Sequence, residues 1–121
     1  MELEKREQII LKDGNLNFPS RRKLLLTNKR LIILQGKGFV KPKYRKESEI
    51  SVEKIIEAYT DASSFTGTCK MILRLKNGEW ECRFGISNTD LLLGTQATIP
   101  MKQRAITDRW INAINRLIQA S

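Results

Sequence analysis

The sequence contains no histidine and only two cysteines, Cys69 and Cys82. Without histidine, the usual general base, the Ser-His and Cys-His nucleophile pairs and the commonest zinc ligand are excluded. A secreted disulfide framework in a chain this short usually takes about four cysteines or more. These absences predict a non-catalytic protein with no cofactor and no metal, whose thiols stay reduced in the cytoplasm.

Long apolar runs are also missing. No stretch approaches the ~18 apolar residues that a membrane-spanning helix requires, and residues 1–8 mix acids and bases with almost no apolar side chain. We therefore expect neither a transmembrane helix nor a signal peptide. A chain of 121 residues fits a single domain, spanning 1–121.

Acidic residues are absent from one segment, Arg21 to Lys46, which holds ten of the 22 lysines and arginines. The remaining chain carries 12 basic and 13 acidic residues, so the whole net charge of +9 belongs to this segment. Such a concentrated field attracts anionic partners. The alternative is a solvated run that only maintains solubility.

Asn77-Gly78 is the strongest hairpin signal, and it predicts a two-residue type I′ turn between Lys70–Lys76 and Glu79–Ile86 with Lys76 opposite Glu79. Alternation then gives the hairpin one apolar face, formed by Cys69, Met71, Leu73, Leu75, Trp80, Cys82, Phe84 and Ile86. In this register the two cysteines lie ~13 Å apart along the strands. That distance is too long for a disulfide, so we expect two buried free thiols.

A second hairpin is predicted from Lys23–Thr27 and Arg30–Gln35, with a turn at Asn28-Lys29 where asparagine tolerates a positive φ. Weaker patterns predict three more strands and bring the total to seven: Glu7–Lys12, closed by Asp13-Gly14, then Tyr44–Ile50 and Val52–Tyr59.

The C-terminus predicts one amphipathic helix, whose apolar residues recur at three- and four-residue spacing: Ile106, Trp110, Ala113, Ile114, Leu117 and Ile118. We expect a mainly β fold in which the helix plugs the open end of a curled antiparallel sheet.

Three segments resemble the PH-like superfamily, particularly its GRAM and bacterial PH branch. Leu25–Ile32 is similar to the family's strand-turn-strand segment, Ile50–Ile55 to its Ile-Pro-Leu-x-x-Ile stretch, and Trp110–Ile114 to its closing helix. The resemblance covers most of the chain and implies a PH-like seven-stranded antiparallel barrel capped by a C-terminal α-helix. Ser87–Gln103 is longer than the family's link and contains Leu91-Leu92-Leu93, which we interpret as a flap on the barrel or as an exposed loop.

The predicted strands bring basic residues to one end of the barrel, while Lys29 and Arg30 lie at the other end, ~17 Å away. In PH domains that resemble this sequence, phosphoinositides bind at the first end through a basic residue of the first strand and a basic-x-Arg of the second, which Lys12 and Arg21-x-Lys23 match loosely. The predicted site for anionic phospholipid headgroups at a peripheral membrane surface is Lys12, Arg21, Arg22, Lys23, Lys37, Lys41 and Lys43.

Two other partners remain open at this stage. The GLUE domain of the ESCRT-II complex is a GRAM-like barrel that binds ubiquitin, and Thr27–Leu34, Phe65–Leu75 and the Arg109-Trp110 helix are compatible with that branch. Nucleic-acid binding ranks last, because only Phe39 and Tyr44 interleave with the basic residues.

Overall fold

The computed structural model describes residues 3–18, 21–38, 43–62, 69–85 and 98–120. The elements follow in the order β1 (Ile9–Phe18), β2 (Arg22–Thr27), β3 (Arg30–Lys37), β4 (Lys43–Ser51), a 3-10 turn (Val52–Lys54), β5 (Ile55–Ala62), β6 (Cys69–Leu75), β7 (Gly78–Phe84) and the helix α1 (Thr98–Ala120). The predictions for Lys41, Ile86 and Leu91–Leu93 lie outside the described residues.

The strands form one antiparallel sheet in the order β4-β3-β2-β1-β7-β6-β5. The prediction of a mainly β fold with a C-terminal helix is confirmed. The strands β4 and β5 are the two edges of this sheet, and they do not pair with each other in the described part of the chain, so the sheet is not closed.

The helix α1 packs its apolar stripe onto the sheet, as the periodicity predicted. Trp110 is 3% exposed and Ile114 is fully buried, and the Trp110 ring stacks on Phe84 with centroids 5.4 Å apart. A Cβ added at Gly14 would lie 2.6 Å from the Trp110 ring, so glycine is required where the helix approaches β1. The helix begins at Thr98, inside the segment predicted as a link to Gln103.

The strand β1 is longer than predicted. Glu7–Lys12 was expected to end at Asp13-Gly14, but β1 continues through these residues to Phe18. Its pairing with β2 shifts register between Leu11 and Gly14, which marks a β-irregularity within the strand. Gly14 therefore lies within the strand and allows the helix to approach β1 closely. The prediction of a turn at Asp13-Gly14 was wrong.

The β6–β7 hairpin turns one step earlier than predicted, at Lys76-Asn77. Leu75 pairs with Gly78 and Leu73 with Trp80, so the predicted pairing of Lys76 with Glu79 was wrong by two residues. Gly78 adopts φ +147°, a value that side chains rarely allow. A slip of two residues keeps every side chain on its face. The apolar face is preserved. Cys82 pairs with Met71, so the cysteines are offset by two residues, or ~7 Å, along the strands, and the predicted ~13 Å was wrong. Both cysteines are buried free thiols, as predicted.

The β2–β3 hairpin has the predicted strands and turn, but Asn28 acts differently. Among the described residues, only Arg6 and Arg21 are non-glycine residues with positive φ, so Asn28 does not use the left-handed region. Instead, its Oδ1 accepts the N–H of Gln8 at 2.7 Å, and its own N–H donates to the Gln8 carbonyl at 3.0 Å. Asn28 therefore ties the N-terminal segment to the turn.

Candidate anion-binding site

One end of the sheet collects basic residues from three strands: the start of β2, the end of β3 and the start of β4. Arg22 pairs with Gln35, Gln35 also pairs with Arg45, and Lys37 pairs with Lys43. The antiparallel order predicted this convergence for Arg22, Lys37 and Lys43. Arg45 was missed, although its two-residue spacing from Lys43 indicates the same face of a strand.

Alternation along the strands divides these residues between the two faces of the sheet. Arg22 lies two residues before the core residue Leu24 in β2, so the two residues lie on the same face of the sheet. Gln35 lies on this face too, because it pairs with Arg22 in the regular β2–β3 ladder. We call the cations of this face the inner basic cluster: Arg22, Lys37, Lys43 and Arg45. The opposite face of the same end carries Lys23, Tyr44 and Lys46.

Within the inner basic cluster, Arg22 is bound by a carboxylate. Its Nε donates to Glu47 Oε2 at 2.6 Å, and its Nη2 donates to Glu47 Oε1 at 2.8 Å. These hydrogen bonds raise the pKa of Arg22 and lower the pKa of Glu47 from their ordinary values. The two side chains are 23% and 33% exposed, so the ion pair is open to solvent.

The other three cations of the inner basic cluster, Lys37, Lys43 and Arg45, are exposed. No carboxylate lies within ion-pair distance of them in the ranges that the structure describes. They concentrate positive charge at this end of the sheet. A group of several cations on one surface is the electrostatic feature that attracts anions.

On the outer face, the Lys23 ammonium lies 4.4 Å from the centroid of the Tyr44 ring, a cation–π contact. Tyr44 is opposite Gly36 in the ladder. A Cβ at Gly36 would lie 2.8 Å from the ring, so the ring lies against the bare backbone of β3. Lys23 is therefore at the predicted end of the sheet, but on the face opposite the inner basic cluster.

The remaining predicted site residues have different positions. In the β1–β2 ladder, Leu11 pairs with Leu26 and Gly14 pairs with Leu24, and Lys12 lies between these two pairs. The β1 residue that pairs with Arg22 is Leu16. Lys12 is therefore ~13 Å along β1 from this end. Its inclusion in the cluster was wrong, because β1 does not end at Asp13-Gly14. Arg21 is exposed, and its carbonyl accepts the N–H of Gly36 at 2.8 Å.

The opposite end of the sheet carries Lys29 and Arg30, as predicted, but both are neutralised. Arg30 Nε lies 2.9 Å from Glu7 Oε2, and its Nη1 lies 2.9 Å from Glu49 Oε2. Lys29 Nζ lies 3.6 Å from Glu4 Oε2. A cavity of about 440 Å³ opens beside these pairs, and its lining carries three carboxylates. The charges of Lys29 and Arg30 are therefore compensated by neighbouring carboxylates.

Comparison with models of protein families, with curated proteins and with solved structures finds no match to the chain. The resemblance to PH-like domains therefore stays a prediction. Among the residues that the structure describes, no helix has the length and apolar character needed to cross a bilayer.

Proposed function

We propose that the chain is a non-catalytic, PH-like binding module of the cytoplasm that binds anionic phospholipid surfaces, such as those containing phosphoinositides, through the inner basic cluster. The observation that carries this proposal is the convergence of Lys37, Lys43 and Arg45 without a carboxylate partner among the described residues. Uncompensated cations near an anionic membrane contribute ~1 kcal/mol each to binding.

The spacing of the cluster suits phosphate groups. Lys37 and Arg45 are diagonal neighbours in the β3–β4 ladder, because Lys37 pairs with Lys43 and Gln35 with Arg45. Diagonal positions lie ~7–8 Å apart, which long side chains span easily. The ammonium and guanidinium groups of the cluster are therefore able to contact one headgroup, or two adjacent headgroups, at the same time.

The test compares two pairs of lysines. Lys37→Ala with Lys43→Ala removes two cations of the cluster. The matched control is Lys54→Ala with Lys76→Ala, which removes two exposed lysines that are also neighbours, since the Lys76 N–H donates to the Lys54 carbonyl at 3.1 Å. Both variants lower the net charge equally, but the control pair lies near the Lys29 end of the sheet.

Flotation on vesicles with and without acidic lipid gives the readout. At ~1 kcal/mol for each cation, the Lys37 and Lys43 variant should bind about 30-fold more weakly, and the control should bind nearly as the unmodified protein does. Equal losses in both variants would show that there is no localised site. Failure of the unmodified protein to prefer acidic vesicles would reject the membrane function.

Charge reversal at Lys29 and Arg30, at the other end of the sheet, is unsuitable as a control. The Arg30 side chain is 12% exposed and bound to Glu7, whose side chain is 0% exposed. A glutamate at position 30 would face a buried carboxylate and would unfold this end of the sheet. Loss of binding would then report loss of the fold.

The alternative of GLUE-type ubiquitin binding has no specific contact in its favour. The helix residue Trp110 is 3% exposed and packs on Phe84, so its ring is not a surface for a partner. Phe65, in the second compatible segment, lies outside the described residues. Ubiquitin binding therefore stays a prediction from the sequence.

A further inference from the structure

The carboxylate of Glu47 has the geometry of a ligand at Arg22. Two oxygens of one group accept hydrogen bonds from two nitrogens of one guanidinium, at 2.6 and 2.8 Å. A guanidinium binds phosphate through the same fork. Arg22 also shares its face with Lys37, Lys43 and Arg45, three cations that contact no carboxylate among the described residues. An internal anion therefore occupies one of the two guanidinium groups of the cluster.

We propose that Arg22 is the phosphate-binding group of the inner basic cluster and that Glu47 occupies it until a phosphate monoester displaces the carboxylate. This inference rests on the proposed function, because it assigns the contact through which that surface holds its anion. The phosphate belongs either to a lipid headgroup or to a soluble phosphorylated molecule, and the two sources share the same recognition chemistry.

The backbone around Glu47 allows such an exchange. Lys46 pairs with Leu34 and Ser48 with the preceding residue Ile33, so Glu47 is an additional residue in β4 without a partner in the ladder. Such bulges redirect a side chain without breaking the pairing on either side. Glu47 therefore reaches Arg22 of β2 across the intervening strand β3, and its side chain is able to turn away without loss of a ladder position.

Exposure distinguishes this pair from the ion pair at the other end of the sheet. Arg22 and Glu47 are 23% and 33% exposed, whereas Arg30 and Glu7 are 12% and 0% exposed. Exposed ion pairs contribute little to stability, and a phosphate monoester brings a larger negative charge than a carboxylate. The three cations beside Arg22 add to its attraction for the phosphate. Replacement of the carboxylate by a phosphate is therefore favoured at Arg22 and is not favoured at Arg30.

The first test is Glu47→Gln, which removes the competing charge and keeps the side-chain shape. Calorimetric titration with inositol 1,4,5-trisphosphate measures the soluble source, and flotation on vesicles containing phosphatidylinositol 4,5-bisphosphate measures the lipid source. We expect Glu47→Gln to bind the trisphosphate about tenfold more tightly, the size of one charge-assisted hydrogen-bonded contact. Improved vesicle binding in addition would identify the lipid as an accessible source.

The matched control is Glu57→Gln. Glu57 Oε1 lies 2.8 Å from Arg74 Nη2, and both side chains are about half exposed, at 45% and 53%. The control changes the net charge by the same amount and releases an arginine from an ion pair, but at the other part of the sheet. It should alter trisphosphate binding less than about twofold. Equal tightening in both variants would overturn the proposal.

A second variant separates the guanidinium fork from simple charge. Arg22→Lys in the Glu47→Gln background keeps the cation but loses the two-nitrogen fork. The proposal expects the tenfold gain in trisphosphate affinity to disappear, and retention of the gain would overturn it.

If the unmodified protein shows no preference for acidic vesicles while Glu47→Gln still binds the trisphosphate more tightly, the membrane function is rejected and the phosphate site at Arg22 is retained. Absence of trisphosphate binding in every variant would reject the phosphate site, and vesicle binding would then rest on diffuse charge.

Discussion

Glu7 is expected to make the stability of the fold depend on acid pH. Its side chain is 0% exposed, and its carboxylate accepts hydrogen bonds from Arg30 Nε at 2.9 Å, Arg30 Nη2 at 3.1 Å and Thr27 Oγ1 at 2.6 Å. The hydrogen bonding by Arg30 is the main reason why the pKa of Glu7 falls from 4.5 to about 2, against the opposing effect of burial.

The sign follows from the lowered pKa. The ionised carboxylate stabilises the fold at pH values above the unfolded pKa of 4.5, and this stabilisation is lost as the pH falls toward the folded pKa of about 2. One pKa unit corresponds to ~1.4 kcal/mol, which gives about 3 kcal/mol near neutral pH. About 2 kcal/mol of this contribution should be lost by pH 3.

The assay is urea denaturation of the unmodified protein and of Glu7→Gln at pH 6 and at pH 3. The amide keeps the shape of the side chain but carries no charge, so the difference in unfolding free energy should be about 3 kcal/mol at pH 6 and about 1 kcal/mol at pH 3. Glu53→Gln, which alters an exposed carboxylate of the 3-10 turn, is the control. If the Glu7→Gln difference were the same at both pH values, Glu7 would not titrate as the hydrogen bonds imply.

Two further predictions concern α1. Trp110→Ala should lower the unfolding free energy by ~3 to 5 kcal/mol, because the ring is buried against Phe84 and Gly14; a loss below about 1 kcal/mol in urea melts would contradict the packing. Asn115 donates to the Ala58 carbonyl at 3.0 Å and accepts the Ala58 N–H at 2.9 Å. Asn115→Ala should therefore cost about 2 kcal/mol and speed hydrogen exchange of the Ala58 amide, and unchanged protection of that amide would refute this role.

Hydrophobic alternation was sufficient to predict the faces of the strands but not their pairing. Leu73 and Cys82 are buried on one face whether Leu73 pairs with Cys82, as expected, or with Trp80, as observed. The period of a strand is two residues, so a slip of two leaves the pattern unchanged. Register depends on the turn, and Asn77-Gly78 is compatible with a turn centred on either Lys76-Asn77 or Asn77-Gly78.

The candidate site was predictable in its location but not in its contacts. The order of the strands is enough to bring Arg22, Lys37 and Lys43 to one end. The partner of Arg22 was not predictable, because Glu47 is 25 residues away and reaches it through an additional residue in β4. Nothing in the local sequence distinguishes that glutamate from Glu49, which binds Arg30.

The strength of the proposed site depends on how many cations keep their charge uncompensated. Among the described basic residues of this segment, Arg22, Lys29, Arg30 and Lys46 each have a carboxylate partner within 4.0 Å. Lys37, Lys43 and Arg45 contribute ~1 kcal/mol each near an acidic surface. A total of about 3 kcal/mol corresponds to a dissociation constant on the order of millimolar or weaker. Release of Arg22 from Glu47 adds a fourth contact only where a phosphate replaces the carboxylate. Stable recruitment to a membrane therefore requires a second contact acting together with this one.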